Sequence, residues 1–214
     1  MLRTEKRYTG VAMFHPRQRA SGALRRLVDA GSSSADIADL LNGFDGPQRV
    51  LEAMSIGGSR QGRLYDALAD AEPLALDDIV PEQAPPSATI MYQGRNSMPL
   101  FDRFQKRFAR LPSGTIVGYN HQLWSPLTGP GYFQVKPASD QAAVRGEPYF
   151  DYTAAPGYQP TGWPAYRPNE WGFSLVVYAH MHDYMRRVAD GVMIGKAYKR
   201  GKPAGQYFIL ARAD

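Results

Sequence analysis

The cluster with the most chemistry in this 214-residue chain is His180, His182 and Asp183. On a strand, residues i and i+2 share a face, so the two imidazoles could chelate one metal with His121 as a third donor. An H-x-H pair used in that way normally has a glutamate a few residues on. Here Tyr184, Met185, Arg186 and Arg187 follow, and no metal is assigned. The plain alternative for the histidines is a solvated or half-buried strand face. Asp183 and Arg187 fall on the face opposite His182. If that face points inward, a carboxylate and a guanidinium enter an apolar interior, where buried charges need partners. Those partners would be each other, Arg212 or Lys196, or the polar head of a ligand. The pair reads either as an acid–base or carboxylate-anchoring site or as a structural ion pair. His121 and Asp183 are the candidate bases, and Arg187 completes the candidate catalytic set. A single strand cannot send both faces inward without a bulge.

The second constellation is aromatic. Tyr119, Tyr132, Trp163, Trp171 and Tyr178, with Met185, are the candidate ligand-binding residues. Residues 153–170 hold four prolines, two glycines, two tyrosines and a tryptophan. A loop this long reads either as the lid of an apolar pocket or as a segment packed down by its own side chains. Period-2 alternation sends part of the aromatic set inward as core.

No cysteine is present, so disulfides and thiolate chemistry are excluded, as befits a cytoplasmic protein. P-loop, GxGxxG, GxSxG and HExxH motifs are absent, and no cofactor is expected. No apolar run is long enough to span a bilayer, and the N-terminus lacks the apolar stretch of a secretory signal. The net charge is +5 and unevenly spread. Residues 1–80 carry 10 Lys/Arg against 11 Asp/Glu, and residues 81–214 carry the other 15 against 9. A basic face invites an anionic partner, but without interleaved aromatics it reads as a solvated surface, and no nucleic-acid partner is expected.

The elements that must position these residues change character along the chain. Residues 1–80 read as short helices: Arg17–Ala30, Ala35–Leu41 capped by Ser34, Pro47–Met54 and Gln61–Ala71. Helices this short are marginal alone and need something to pack on. Residues 72–88 are rich in proline and acids, and a linker over 81–88 is expected to separate the helical segment from a domain over 89–214. Leu100, Phe101, Phe104, Phe108 and Leu111 form a helical stripe over Met98–Leu111, with Arg103, Lys106, Arg107 and Arg110 on its wet side. Elsewhere after Thr89–Gln93, period 2 predicts strands at Thr115–Gln122, Gly131–Lys136, Ala143–Tyr152, Phe173–Ala179, His182–Ala189, Val192–Tyr198 and Gln206–Ala211. Asp190–Gly191 is the strongest hairpin signal. The fold class is therefore α+β, mainly antiparallel β: a barrel, with short helices before it and one helix packed on it.

The block over 176–212 carries a resemblance. Tyr178, Asp183, Arg186, Arg187, Val188, Asp190, Gly195, Phe208, Leu210 and Arg212 are similar to the closing block of an uncharacterised bacterial lipocalin-like domain family named for its GxWxG motif. Met185 stands where that family has Phe. The GxWxG motif itself is absent, and Gly114 to Gly118 is its nearest counterpart, without the tryptophan. The resemblance implies a lipocalin- or calycin-like barrel and, at most, a small apolar ligand. Three functions follow as expectations. The first is binding of a small hydrophobic or aromatic molecule in the barrel. The second is a cofactor-independent isomerase, cyclase, decarboxylase or hydrolase of a biosynthetic pathway, using Asp183, Arg187 and His121. The third is an interaction module docking through the N-terminal helices, with homodimerisation also open.

Overall fold

Five short helices precede eight strands in the computed structural model, which describes residues 19–98, 102–121, 129–139, 144, 146–169 and 178–214. The helices are α1 (Ala23–Ala30), α2 (Ser34–Asn42), α3 (Gly46–Ser55), α4 (Ser59–Ala67) and α5 (Leu76–Ile79). The strands are β1 (Ile90–Asn96), β2 (Arg103–Arg110), β3 (Ile116–His121), β4 (Tyr132–Lys136), β5 (Tyr149–Asp151), β6 (Met181–Ala189), β7 (Val192–Lys199) and β8 (Lys202–Ala211). All neighbours are antiparallel and in chain order, and β8 returns to β1 to close the barrel. The fold is α+β, a closed eight-stranded, lipocalin-like barrel. Closure leaves no unpaired edge among the described strands. The expected strand Phe173–Ala179 lies mostly outside the described residues, and Tyr178 to His180 form a turn.

The helical stretches start and stop where local chemistry directs. Ser33, one residue before the expected cap, accepts from the Asp36 amide at 3.2 Å while Asp36 reaches back, a capping box. Asp45 accepts from the Gln48 amide at 2.8 Å, with Pro47 in the first turn of α3. The apolar faces of α1–α4 do not seek a separate partner. Leu24, Ile37, Leu41, Val50 and Leu64 share a core with Val188, Val192, Ile194, Ile209 and Ala211, which face outward from β6–β8. Arg49 fastens this contact by donating to the carbonyls of Leu41, Phe44 and Asp190.

Glu52, fully buried in α3, supplies the start of α1. Its carboxylate accepts from the amides of Ser21, Gly22 and Leu24. An anion there satisfies amides that the helix itself cannot. Glu52→Ala is expected to cost about 1–3 kcal/mol in urea unfolding, because it orphans buried donors, while Glu52→Gln retains an acceptor and loses less. Equal losses from the two variants would refute the capping role.

Residues 72–88, expected to include a linker, close one end of the barrel. Leu74, Ile79 and Val80 are buried against Ile90 and Tyr92 in the interior core. The Tyr92 hydroxyl donates to the carbonyls of Asp78 and Ile79, both at 3.0 Å, and Arg110 donates to the Val80 carbonyl at 2.6 Å.

One expected element is corrected. Met98–Leu111 is not a helix packed on the barrel; its described part forms strand β2, paired with β1 and β3 on its two sides. Phe104 and Phe108 are four apart, a spacing that a helix face and a strand face both satisfy. Barrel closure decides between them, because without β2 the edges of β1 and β3 would be unpaired. The consequence is large. Phe104, Lys106 and Phe108 now point inward, and Lys106, expected on a solvated face, is 2% exposed.

The interior is built for rings. Gly94 faces Phe104, Gly118 faces Phe133 and Gly195 faces Phe208 across strand pairs. Each phenyl ring lies where a glycine Cβ would stand. In the middle, Phe133 and Phe150 stack at 4.9 Å, and Phe108 packs at 5.5 and 5.3 Å from them.

Candidate functional site

Within this aromatic interior four polar side chains converge. Alternation points Lys106 (β2), Asn120 (β3), Tyr152 (just after β5) and Asp183 (β6) to the barrel axis, and all four are buried. The Lys106 ammonium donates to Asn120 Oδ1 at 2.8 Å and to the Tyr152 hydroxyl, and lies 3.5 Å from Asp183 Oδ2. The Tyr152 hydroxyl donates to the same carboxylate oxygen at 3.1 Å. Asn120 Nδ2 reaches the Gly131 carbonyl at 3.2 Å and Tyr152 at 3.3 Å. Asp183 Oδ1 is buried with no hydrogen-bond partner among the described residues. Around the amine stand the faces of Phe133 and Phe208, 4.7 and 4.9 Å away.

Burial in this setting opposes charge. It pushes the Lys106 pKa down to about 8, with the Asp183 carboxylate pulling the other way. It pushes Asp183 up, against the pull of Lys106, and it raises Tyr152 well above the phenol range, helped by the nearby Asp183 charge. The pair is thus drawn toward its neutral forms. An amine, a phenol and a carboxyl in hydrogen-bond contact can pass a proton among themselves or to a bound molecule.

The second feature is a groove of about 1000 Å³ on the outer wall. Its floor is the outward face of β2, Arg103, Gln105 and Arg107, flanked by Tyr119 and His121 of β3. The loop after β5 forms a side of it. Trp163 packs against Tyr119 at 4.7 Å, and its indole donates to Thr89 Oγ1 at 2.9 Å. The loop is tied down by Asn169, which donates to the Tyr132 and Tyr152 carbonyls, both at 2.8 Å, and by the Tyr132 hydroxyl on the Pro164 carbonyl at 2.6 Å. The groove also reaches Gly94, Phe104 and Asn120, so it meets the buried cluster at Asn120.

The candidate residues therefore divide. Asp183, Met185 and Tyr178 belong to the interior, where the Tyr178 ring stacks on Tyr152 at 5.4 Å and 6°. Tyr119, Tyr132 and Trp163 come together, but on the outer wall. Trp171 lies outside the described residues. His121 sits at the outer end of β3, edge-on to Tyr119, with its pKa lowered by burial and by the Arg107 charge. Arg187 shares the face of Asp183 but lies at the plugged end, paired with Asp190 at 2.6 Å and Glu72 at 3.2 Å. The barrel wall separates His121 from Asp183, and the partner of Asp183 is Lys106. The two histidines of the H-x-H pair also part: His182 faces outward against Asp151 at 3.3 Å, and His180 sits in the preceding turn at φ +56°. Burial works against the Asp151 charge, but hydrogen bonds from His182 and Thr153 outweigh it and hold its pKa at about 2. Among the described residues no group of three His, Cys, Asp or Glu is placed to hold a metal ion, and no helix is long and apolar enough to cross a membrane.

Lys106, Asn120 and Tyr152 escaped the sequence reading. The pattern Phe104-x-Lys106-x-Phe108, read at period 2, carries the signal for the first of them. No family model, curated protein or solved structure matches the chain.

Proposed function

We propose that the chain binds a small hydrophobic or aromatic molecule in the groove between β2 and the loop carrying Trp163, with the inner end of the ligand at Asn120. The observation that carries this reading is the groove itself, with Trp163 and Tyr119 set edge to face on its wall and Asn120 at its inner end. The closed antiparallel barrel is compatible with the same reading. Phenylnaphthylamine, an uncharged dye that brightens in apolar sites, is expected to bind and to be displaced by the natural ligand class. Trp163→Leu is expected to weaken that binding by about threefold to tenfold, the worth of one aromatic contact. Affinity unchanged in both Trp163→Leu and Tyr119→Leu would sink the proposal.

A second reading is favoured by one specific observation, the Lys106–Tyr152–Asp183 cluster. In it the chain is a cofactor-independent enzyme, and these three groups carry the proton transfers in place of His121 and Arg187. It is tested by Lys106→Met, which would abolish turnover of a bound substrate while leaving dye binding in the groove intact.

A further inference from the structure

The charge of the groove narrows its occupant further than its shape does. Arg103 and Arg107 stand on the floor four residues apart on β2, roughly 13 Å along the strand. Between them Gln105 is paired with Gln93 on one side and His121 on the other, a row of neutral polar groups. Arg167 faces the floor from the loop. No aspartate or glutamate is among the described lining residues. Among the described residues, Arg107 and Arg167 have no acid within ion-pair distance, and Arg103 has one at the limit of it. Arg107 donates to two neutral acceptors, the Tyr119 hydroxyl at 3.1 Å and Gln105 Oε1 at 3.4 Å, and its buried Nε has no partner among the described residues. The carboxylate near Arg103 is Asp102 at 3.9 Å, which lies closer to Arg95 at 3.4 Å. Cations gathered in one concavity repel each other unless an anion joins them, and a guanidinium fork fits a carboxylate or sulfonate in a bidentate way. The half-buried Trp163 ring lies beside them, backed by the buried Tyr119.

We infer that the groove selects an aromatic anion, with its ring on Trp163 and its carboxylate or sulfonate held by Arg103, Arg107 and Arg167. The inference rests on the reading of the groove as a ligand site and specifies what that ligand must carry. Neutral ring systems of the same shape fill the apolar part and leave the guanidinium groups unpaired.

Two dyes with the same ring system, anilinonaphthalene sulfonate and the uncharged phenylnaphthylamine, separate the two claims on the full chain. The sulfonate is expected to bind at least about tenfold more tightly, the scale of a charge-assisted hydrogen bond. Arg103→Gln and Arg107→Gln are each expected to remove most of that advantage, weakening the sulfonate by a larger factor than the neutral dye. Potassium chloride should erode it as well, since partly exposed charges are screened. If Arg107→Gln does not melt like the parent protein, Arg103→Gln and Arg167→Gln decide the matter. Equal affinity for the two dyes, with Trp163-dependent binding of the neutral one, overturns the anion inference and leaves the groove standing. A sulfonate preference that survives the arginine substitutions also overturns it. Binding of neither dye overturns the ligand site and the inference together.

Discussion

Asp183→Ala is expected to destabilise the protein by about 3–5 kcal/mol near neutral pH, because it strands the Lys106 ammonium in a phenyl-lined interior without its counter-charge. The double variant Lys106→Met with Asp183→Leu removes both charges and fills their space, and it should recover most of that loss. Urea unfolding of the parent, Lys106→Met, Asp183→Leu and the double variant closes the cycle. Additive losses would show that the two groups do not act as a unit. The pH dependence carries a sign that can be checked. Lys106 has a pKa of about 8 when folded, against about 10.4 for an unperturbed lysine. Between those values the unfolded chain binds more protons, so the Lys106 contribution makes stability rise with pH across that window. Asp183 acts in the opposite sense at lower pH. Its folded pKa is raised, so stability falls as pH climbs from the ordinary aspartate value through the raised one. Lys106→Met should flatten the alkaline slope, and the damage done by Asp183→Ala should shrink as the stranded amine loses its proton.

Gly195→Ala is expected to cost about 2 kcal/mol or more, by overpacking. A Cβ at Gly195 would stand 2.3 Å from the Phe208 ring and 2.8 Å from the Met185 sulfur. Both obstacles are side chains, so Phe208→Leu should restore part of the loss. Gly118→Ala is the informative contrast. Its Cβ would meet the Phe133 ring at 2.5 Å and the Arg107 carbonyl oxygen at 2.8 Å. Because the second obstacle is backbone, Phe133→Leu should rescue Gly118→Ala poorly. Thermal melts of the two pairs measure the difference, and equal rescue would show that the backbone approach is relaxed at little cost. These glycines belong to the packing of the rings, not to turns.

Much of this architecture was legible from local pattern. Helix starts are written in Pro47 and, one residue off, in the serines at α2, and the Asp190–Gly191 hairpin is present with Gly191 at φ +68°. The alternation in 181–199 correctly places Asp183 and His182 on opposite faces. The failure came where two periods coincide. Phe104 and Phe108 satisfy both a helix and a strand, and only the non-local need to pair β1 with β3 tells them apart. That single ambiguity hid Lys106 and so hid the counter-charge of Asp183. The groove was invisible for a related reason. Tyr119 and Trp163 are far apart in sequence, and nothing in their spacing says that the loop folds back over the outer wall. Arg187 looked like the natural mate of Asp183 at four residues' distance, but on a strand that spacing is some 13 Å, beyond the reach of an ion pair.

The strand order has a kinetic consequence. Every ladder but one joins strands that follow each other in the chain, so each can form as a local hairpin or short-range step. The exception is the seam of β1 with β8, where Gln93–Asn96 meet Phe208–Ala211 across more than a hundred residues of chain. Closing that loop carries the largest entropy cost of any pairing in the molecule, for a short ladder. Helix α3 spans the place where the cost falls. It packs on both β1 and β8, and Arg95 of β1 donates to the carbonyls of Met54 and Ser55 near its end. The N-terminal helices thus clasp the seam of the finished cylinder, tying the first and final strands together where chain connectivity does not.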